Sequence, residues 1–522
     1  MAVYYISTNT IGVPPGFSFS GDGDSLVVLP GVTLASTSSF GSVIAFGSHI
    51  NTSITILGTV VESGSIVNNS NSFDLTIGAG GTYHSTLSAT TSGAIFTIVG
   101  GSQWTNAGQI LAPNCIAMVA ADTGISNSGT ITGDTGIFTW SLDGTRISNS
   151  GLIQGTGTTG GGAYGTAVTF SGVSGTIQNL LGGQLLAHGA GKSAIRLISD
   201  VDGTRVVNHG SIESLGGSGI FIESTPTTAT VTIVNTGTIS GQDTAITGGD
   251  GVERVTNRGT LGGGIDLGGS ADVVDNRFGA VLGDLSLGDG DDSYDGRGGS
   301  VSGLIDGGAG ADSFIGNAAL ADIINGGVGL DEIDYRFGPA ITLALDGSFE
   351  SDGGAIGDTV TAVERILGSA GGDVVRGDAA ANQLLGGAGN DALDGAAGAD
   401  LMRGGQGADT LTGGLGNDTF RFQNLTECGD VITDFLNVAG DNDKFQILAS
   451  AFGGGLVAGA LAANQFQSRA DNVAQDADDR FIFRTTDRTL WFDADGTGAD
   501  AAIMVADLQA GAVVTAADIQ LI

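Results

Sequence analysis

The chain has 522 residues with 94 glycines and 6 prolines, a length and composition that favour a long solenoid with an appendage over a set of domains joined by linkers. Its formal charge of −37 is uneven: residues 1–260 carry 14 acidic and 6 basic side chains, and residues 261–522 carry 41 and 12. A half that acidic repels itself, which calls for bound cations and excludes nucleic acid as a partner. Cys115 and Cys428 lie in different regions, so a disulfide framework is not expected. The opening MAVYYISTNT lacks a basic stretch followed by an apolar core, and no apolar run approaches the length of a membrane span. Export would therefore depend on an address elsewhere, with no transmembrane segment.

Residues 1–103 alternate short apolar runs (SLVVLPGVTL, SITILGTVV, AIFTIVG) with Ser, Thr, Asn and Gly, a pattern of short strands and turns. Pro14, Pro15 and Pro30 suggest an irregular cap, which a solenoid needs at an open end. Over 104–284 a rhythm appears. NAGQI, NSGTI, NSGLI, NHGSI, NTGTI and NRGTL, with a degenerate NLLGGQL, place asparagines at 106, 127, 149, 179, 208, 235 and 257. The intervals between those positions suit one coil of a parallel β-helix with loops of variable length. Stacked asparagines can hydrogen-bond amide to amide, and the glycine turns the chain. This segment resembles the β-helical passenger repeats of autotransporter adhesins; no barrel-forming segment follows, so that export route does not carry over.

IDLGGSADVV, LSLGDGDDSY and IDGGAGADSF then recur at a constant interval and align Asp272, Asp292 and Asp312, as if one stack graded into the other. Loops ending at Asp322 and Asp331 extend this first block, and residues 335–367 (AITLAL, TVTAVERIL) read as an insertion that keeps the coil going.

Residues 368–421 are six nine-residue units: GSAGGDVVR, GDAAANQLL, GGAGNDALD, GAAGADLMR, GGQGADTLT and GGLGNDTFR. Position six holds Asp373, Asn382, Asp391, Asp400, Asp409 and Asp418; position eight is always apolar. Glycines such as Gly387, Gly389, Gly405, Gly407, Gly414 and Gly416 allow tight turns that free backbone carbonyls to face a ligand. If two units make one coil of a parallel roll, Asp391 lies over Asp409 and Asp400 over Asp418, carboxylates repeating every ~5 Å with nothing to neutralise them. A hard divalent cation resolves that repulsion, and calcium takes mixed carboxylate and carbonyl ligation best. A flexible Gly/Asp linker has no reason to keep an apolar residue in phase. The units resemble the RTX (repeat-in-toxin) family, which implies a β-roll binding several calcium ions, with the six position-six residues and glycines above, together with Asp292, Asp312, Asp322 and Asp331, as the metal site.

Residues 422–522 become mixed and aromatic, with DVITDF, DKFQIL, a DADGTG turn at 493–498 and a final AADIQLI. They resemble the C-terminal domain of proteins exported by Gram-negative type I secretion, which implies that machinery as a partner and a secreted or cell-surface location. Catalytic motifs of RTX enzymes are absent: none of His49, His84, His188 and His209 lies in an HExxH motif, and there is no GxSxG elbow. Gly191-Lys192-Ser193 lacks the first glycine of a phosphate loop, position 186 being leucine, and Arg376-Gly377-Asp378 is explained by its place at a repeat boundary. The expectation is an all-β protein: a parallel β-helix, a calcium β-roll over 285–421 and a β-rich C-terminal cap. It is read as a non-enzymatic structural or adhesive surface protein whose partners are extracellular polysaccharide, a cell surface or copies of itself. The alternatives are a polysaccharide lyase or epimerase, with His188, Lys192, Arg196, Arg205 and His209 as its only candidate cluster, and a surface-layer subunit.

Overall fold

A strand of only a few residues buries its inward side chains only against the copies before and after it, so a chain built of such strands must stack them. The computed structural model describes residues 2–12, 17–36, 44–45, 52–62, 66–67, 73–85, 96–97, 101–118, 123–139, 144–157, 165–198, 201–223 and 226–522. It is nearly all β and divides into two compact units, Met1–Tyr294 with Gly299–Leu304, and Asp295–Gly298 with Ile305–Ile522.

The first unit is a parallel β-helix with three faces. On the first face Gln103–Asn106, Gly124–Asn127, Arg146–Asn149, Thr176–Asn179, Thr204–Asn208, Thr230–Asn235 and Val252–Asn257 pair in parallel, each N-x-G copy opening one turn of the coil. After the glycine the chain enters a second parallel face, for example Thr130–Thr139, Leu152–Gly155, Gln184–Ala187 and Ser211–Ser214. Val168–Phe170, Ile195–Leu197 and Ile220–Ile222 form a third. The long strands Thr130–Thr139 and Thr238–Thr247 run across two faces. Upstream, Val3–Ile6 already pairs in parallel with Ser25–Val28, and that strand with Thr52–Ile56. Pro14, Pro15 and His49 lie outside the described residues.

Parallel register sets like on like. Ile125, Ile147, Ile177, Val206, Ile233 and Val255 form one inward column and Ile131, Ile153, Leu185, Ile212, Ile239 and Leu261 another, all at most 4% exposed. Burying each contributes about 1.5–3 kcal/mol. β-Branched side chains suit this pleated surface because they lose little rotamer freedom there. The asparagine column is buried too, and it is continuous. Nδ2 of Asn106, Asn127, Asn149, Asn179, Asn208, Asn235 and Asn257 donates to Oδ1 of the next member, ending at Asn276, over 2.7–2.9 Å. Oδ1 also accepts the amide of the glycine that follows, as at Gly108, Gly210 and Gly237. A Cβ at Gly129, Gly237 or Gly259 would overlap the carbonyl oxygen of the equivalent glycine one coil earlier, which is why the motif demands glycine. Asn276 was not among the sequence candidates because its glycine comes one position late, in NRFG.

The second unit is a parallel roll with two faces. One runs Glu332–Asp334, Arg365–Leu367, Gln383–Ala388, Leu401–Gln406, Thr419–Phe422, Lys444–Ile447 and Ile519–Leu521. The other runs Ile341–Ala344, Val374–Arg376, Ala392–Asp394, Thr410–Thr412, Asp430–Ile432 and Ile503–Leu508. Residues 335–367 thus supply a strand to each face, plus a short antiparallel pairing of Ile341–Ala344 with Asp352–Gly353. Beyond Ile503–Leu508 the second sheet turns antiparallel through Thr489–Phe492 and Phe481–Arg484 over a core of Phe452, Phe481 and Phe492. Among the described residues no helix is long and apolar enough to cross a membrane.

Replacing Asn179 with Asp puts an acceptor where the ladder needs the Nδ2 donor, opposite Oδ1 of Asn208. Leaving such a buried group unpaired costs about 1–3 kcal/mol. Thermal unfolding should register that loss, whereas Gln178→Asp on the same strand's outer side should stay within about 0.5 kcal/mol. Equal melting of the two variants would contradict the ladder's role.

Candidate metal centre

The six nonapeptides alternate between the two faces of the roll, so each unit stacks on the next but one. Val375, Leu393 and Leu411 are direct neighbours on one face, and Leu384, Met402 and Phe420 on the other, all at most 2% exposed. This inward clamp aligns the position-six residues. The amide of Asp373 donates to Oδ1 of Asp391 and that of Asp391 to Oδ1 of Asp409, both at 2.8 Å. On the other edge Asn382 donates to Asp400 at 2.7 Å and Asp400 to Asp418 at 2.9 Å. Upstream, Asp272 donates to Asp292 at 2.6 Å and Asp312 to Asp331 at 2.8 Å.

One carboxylate oxygen is thereby satisfied and the other is not. Oδ2 of Asp331, Asp391, Asp400, Asp409 and Asp418 is buried without a hydrogen-bond partner. In the last four it is aimed over the first glycine of its own unit, Gly386, Gly395, Gly404 and Gly413, where a Cβ would overlap it. Burial pushes these carboxyls up, with the neighbouring carboxylates adding to it: Asp391 and Asp400 rise from 3.8 to about 7, and Asp409 and Asp418 rise as well. Two full charges ~5 Å apart repel by about 3 kcal/mol at an effective dielectric constant of about 20.

The loops facing these oxygens are shaped by backbone. Gly387, Gly405 and Gly414 at position two have φ of 114°, 109° and 95°, and Gly389, Gly407 and Gly416 at position four have 118°, 149° and 140°. A Cβ on Gly407 would overlap the Gly389 carbonyl oxygen, and one on Gly416 that of Gly398. Ala396 takes the position-two conformation at φ 70° despite its Cβ. Among the described residues no three Asp, Glu, His or Cys side chains converge on one point. A cation here would therefore be held by single carboxylate oxygens together with the carbonyls of the glycine loops, the hard oxygen set that calcium takes.

Three of the sequence-predicted ligands differ from this pattern. Both oxygens of Asp373 are occupied, by the Ser369 amide at 2.6 Å and by the Ser369 hydroxyl and the Ile341 amide, each at 2.8 Å. Asp322 accepts the Asn317 amide at 2.9 Å. Asn382 accepts the Asp378 amide at 2.9 Å and has an unpartnered Nδ2. Ser369 and Asp378 stand where the other units have a left-handed glycine or alanine, so the chain caps its own side chain there.

Sequence reasoning missed Asp358, Glu364, Asp430 and Asp443, which accept the amides of Asp322, Asp331, Asp409 and Asp418 at 2.9–3.1 Å. Burial pushes Asp430 up to about 8 and Asp443 up to about 7. Asp430 and Asp443 lie further along the chain from Asp409 and Asp418 than two nonapeptides reach, so the repeat period could not signal them. The basic cluster considered for catalysis is dispersed. His188 contacts Gln154, His209 contacts Thr236, and Arg196 pairs with Glu223 at 3.0 Å. Lys192 and Arg196 share a depression of about 350 Å³ with Phe221 and Asp243.

Comparison with protein families identifies residues 367–402 and 385–420 as RTX calcium-binding nonapeptide repeats. No curated protein matches the chain.

Asp409→Ala removes both the acceptor of the Asp391 amide and an unpartnered oxygen. A calcium titration should then show a higher midpoint and a shallower transition, while Asp134→Ala on an N-terminal coil leaves both unchanged; equal midpoints would contradict stacking. Without metal, folded Asp391 and Asp400 titrate near 7, against 3.8 when exposed, so the fold binds protons that the unfolded chain does not. That stabilisation is complete below about pH 4 and disappears as pH rises through about 7. In chelator, circular dichroism should thus show more β-structure at about pH 5 than at about pH 8, and the reverse order would contradict the assignment.

Proposed function

We propose that this is a secreted structural or adhesive protein of a cell surface or extracellular matrix, whose C-terminal roll folds when it meets calcium. The observation that carries this is the column of buried carboxylate oxygens without partners at Asp391, Asp400, Asp409 and Asp418. Extracellular calcium modules bind at about 0.1–1 mM, a concentration met outside cells, so the roll would stay open inside and close after export. At ~100-fold excess of calcium over the dissociation constant, each independent site adds about 2.7 kcal/mol. The likeness of residues 422–522 to type I secretion domains supports that export route. A surface role is supported by a long, regular coil whose outward positions are rich in Ser, Thr and Gln, as in Arg146–Asn149 and Thr176–Asn179. Such a face offers many hydroxyl and amide groups to a polysaccharide, a cell surface or another copy.

The depression beside Lys192 and Arg196 favours a second reading, a polysaccharide-modifying enzyme acting on an anionic sugar. A glycan array and a turnover assay on the full chain in millimolar calcium separate the two. Binding without product formation supports the structural or adhesive role; depolymerisation or epimerisation of a uronate polymer, abolished by Lys192→Ala, would replace it. Limited proteolysis in chelator should leave the asparagine-ladder coils over 103–257 intact while the roll is digested. Digestion of both at one rate would contradict the separation.

A further inference from the structure

Outside the nonapeptide block, the most anomalous group in the molecule is Glu253. Its residue is fully buried, and neither carboxylate oxygen has a hydrogen-bond partner. Burial pushes its pKa up to about 8, with the nearby Asp250 carboxylate adding to the rise, while the Gly249 amide, outside hydrogen-bond geometry, lowers it. One coil on, Asp272 is 1% exposed and its Oδ2 is equally unpartnered. These two residues lie at the same register position, since Val255 pairs with Val274.

We propose that Glu253 and Asp272 hold a divalent cation, calcium by the chemistry of their oxygens, in a site within the N-terminal β-helix. The proposal rests on the calcium reading given above and extends it to a coil that also carries the asparagine ladder.

Three features of the site coincide with those of the roll. The Glu253 amide donates to Oδ1 of Asp272 at 2.7 Å, as the Asp391 amide does to Asp409 at 2.8 Å, leaving the second oxygen over. On the approach to Asp272, Gly268 has φ of 94°, close to Gly387 at 114° at the same offset before Asp391, and Ser270 is also positive at 72°, where Gly389 has 118°. Ser270 adopts this left-handed conformation without being glycine, so the loop holds its shape against an intrinsic preference. The turn at Gly248 and Gly249 packs directly on the next loop: a Cβ on Gly248 would overlap the Leu267 carbonyl oxygen, and one on Gly268 that of Gly249. Backbone carbonyl oxygens thus line the turns that precede the two carboxylates, and carboxylate with carbonyl is the mixed set that a hard cation selects. Glutamate at 253 reaches one methylene further than aspartate and supplies both of its oxygens. The consequence is positional: calcium would clamp the coils of Asn257 and Asn276 at the end of the ladder, making the last turns of the N-terminal unit sensitive to the same signal as the roll.

Hydrogen exchange on the full chain, with millimolar calcium and with chelator, tests this. Calcium ~100-fold above its dissociation constant should slow exchange of the Val252–Asn257 and Val273–Asp275 amides by about 100-fold. Glu253→Gln should abolish that slowing while Gln383–Ala388 and Leu401–Gln406 respond as before. Unchanged exchange at 252–257 beside a calcium-responsive roll would overturn this site alone and leave Glu253 a buried neutral acid; absence of any response in the roll would overturn the calcium reading with it. Full slowing in Glu253→Gln would also overturn the site. If the variant frays those strands in chelator, bound calcium counted by equilibrium dialysis decides: one ion fewer per chain supports the site, and an unchanged count overturns it.

Discussion

A parallel coil places each side chain on its own copy, and whether that copy attracts or repels it governs this molecule. An asparagine is self-complementary, because Nδ2 donates and Oδ1 accepts; the column from Asn106 to Asn276 closes into a ladder that needs nothing else. An ionised aspartate only accepts. Stacked in the same manner, Asp391 over Asp409 and Asp400 over Asp418 satisfy one oxygen each from the backbone and leave the other buried and bare. Folding the roll therefore waits on a proton or a cation, while closing the amide ladder does not.

Much of this was legible because the periods were short and strict. The N-x-G recurrence located the first face of the helix, and the phase of Leu384, Met402 and Phe420 against Asn382, Asp400 and Asp418 located the roll. Less was legible where the partner lay outside the repeat. Asp373 matches the motif, yet Ser369 occupies its oxygens, an outcome set by the side chain at position two. Asp430 and Asp443 belong to the carboxylate columns although an irregular stretch separates them from the last units. The third face of the helix was not read at all. Its strands are very short, such as Ile195–Leu197, and the loops around them vary in length, so no period betrays them.

Charge distribution fits the same division. The amide ladder from Asn106 to Asn257 lies in the half with 14 acidic residues, and the half with 41 stacks carboxylates over glycine loops. In the roll the glycines are a steric necessity, since left-handed turns with carbonyls nearly in contact leave no volume for Cβ at positions such as Gly407 and Gly416. A chain with this much uncompensated charge resists compaction until cations neutralise it. That coupling makes calcium concentration a coordinate of the fold itself, with the trigger in the most acidic segment.

The most direct test is a crystal structure of the calcium-loaded protein with anomalous data that locate the ions. The account predicts peaks about 2.3–2.6 Å from Oδ2 of Asp391, Asp400, Asp409 and Asp418, completed by carbonyls of the facing glycine loops, and none on the side-chain amides of the asparagine ladder. Carboxylate columns that remain free of ions in saturating calcium, or ions seated on the amide ladder, would contradict it.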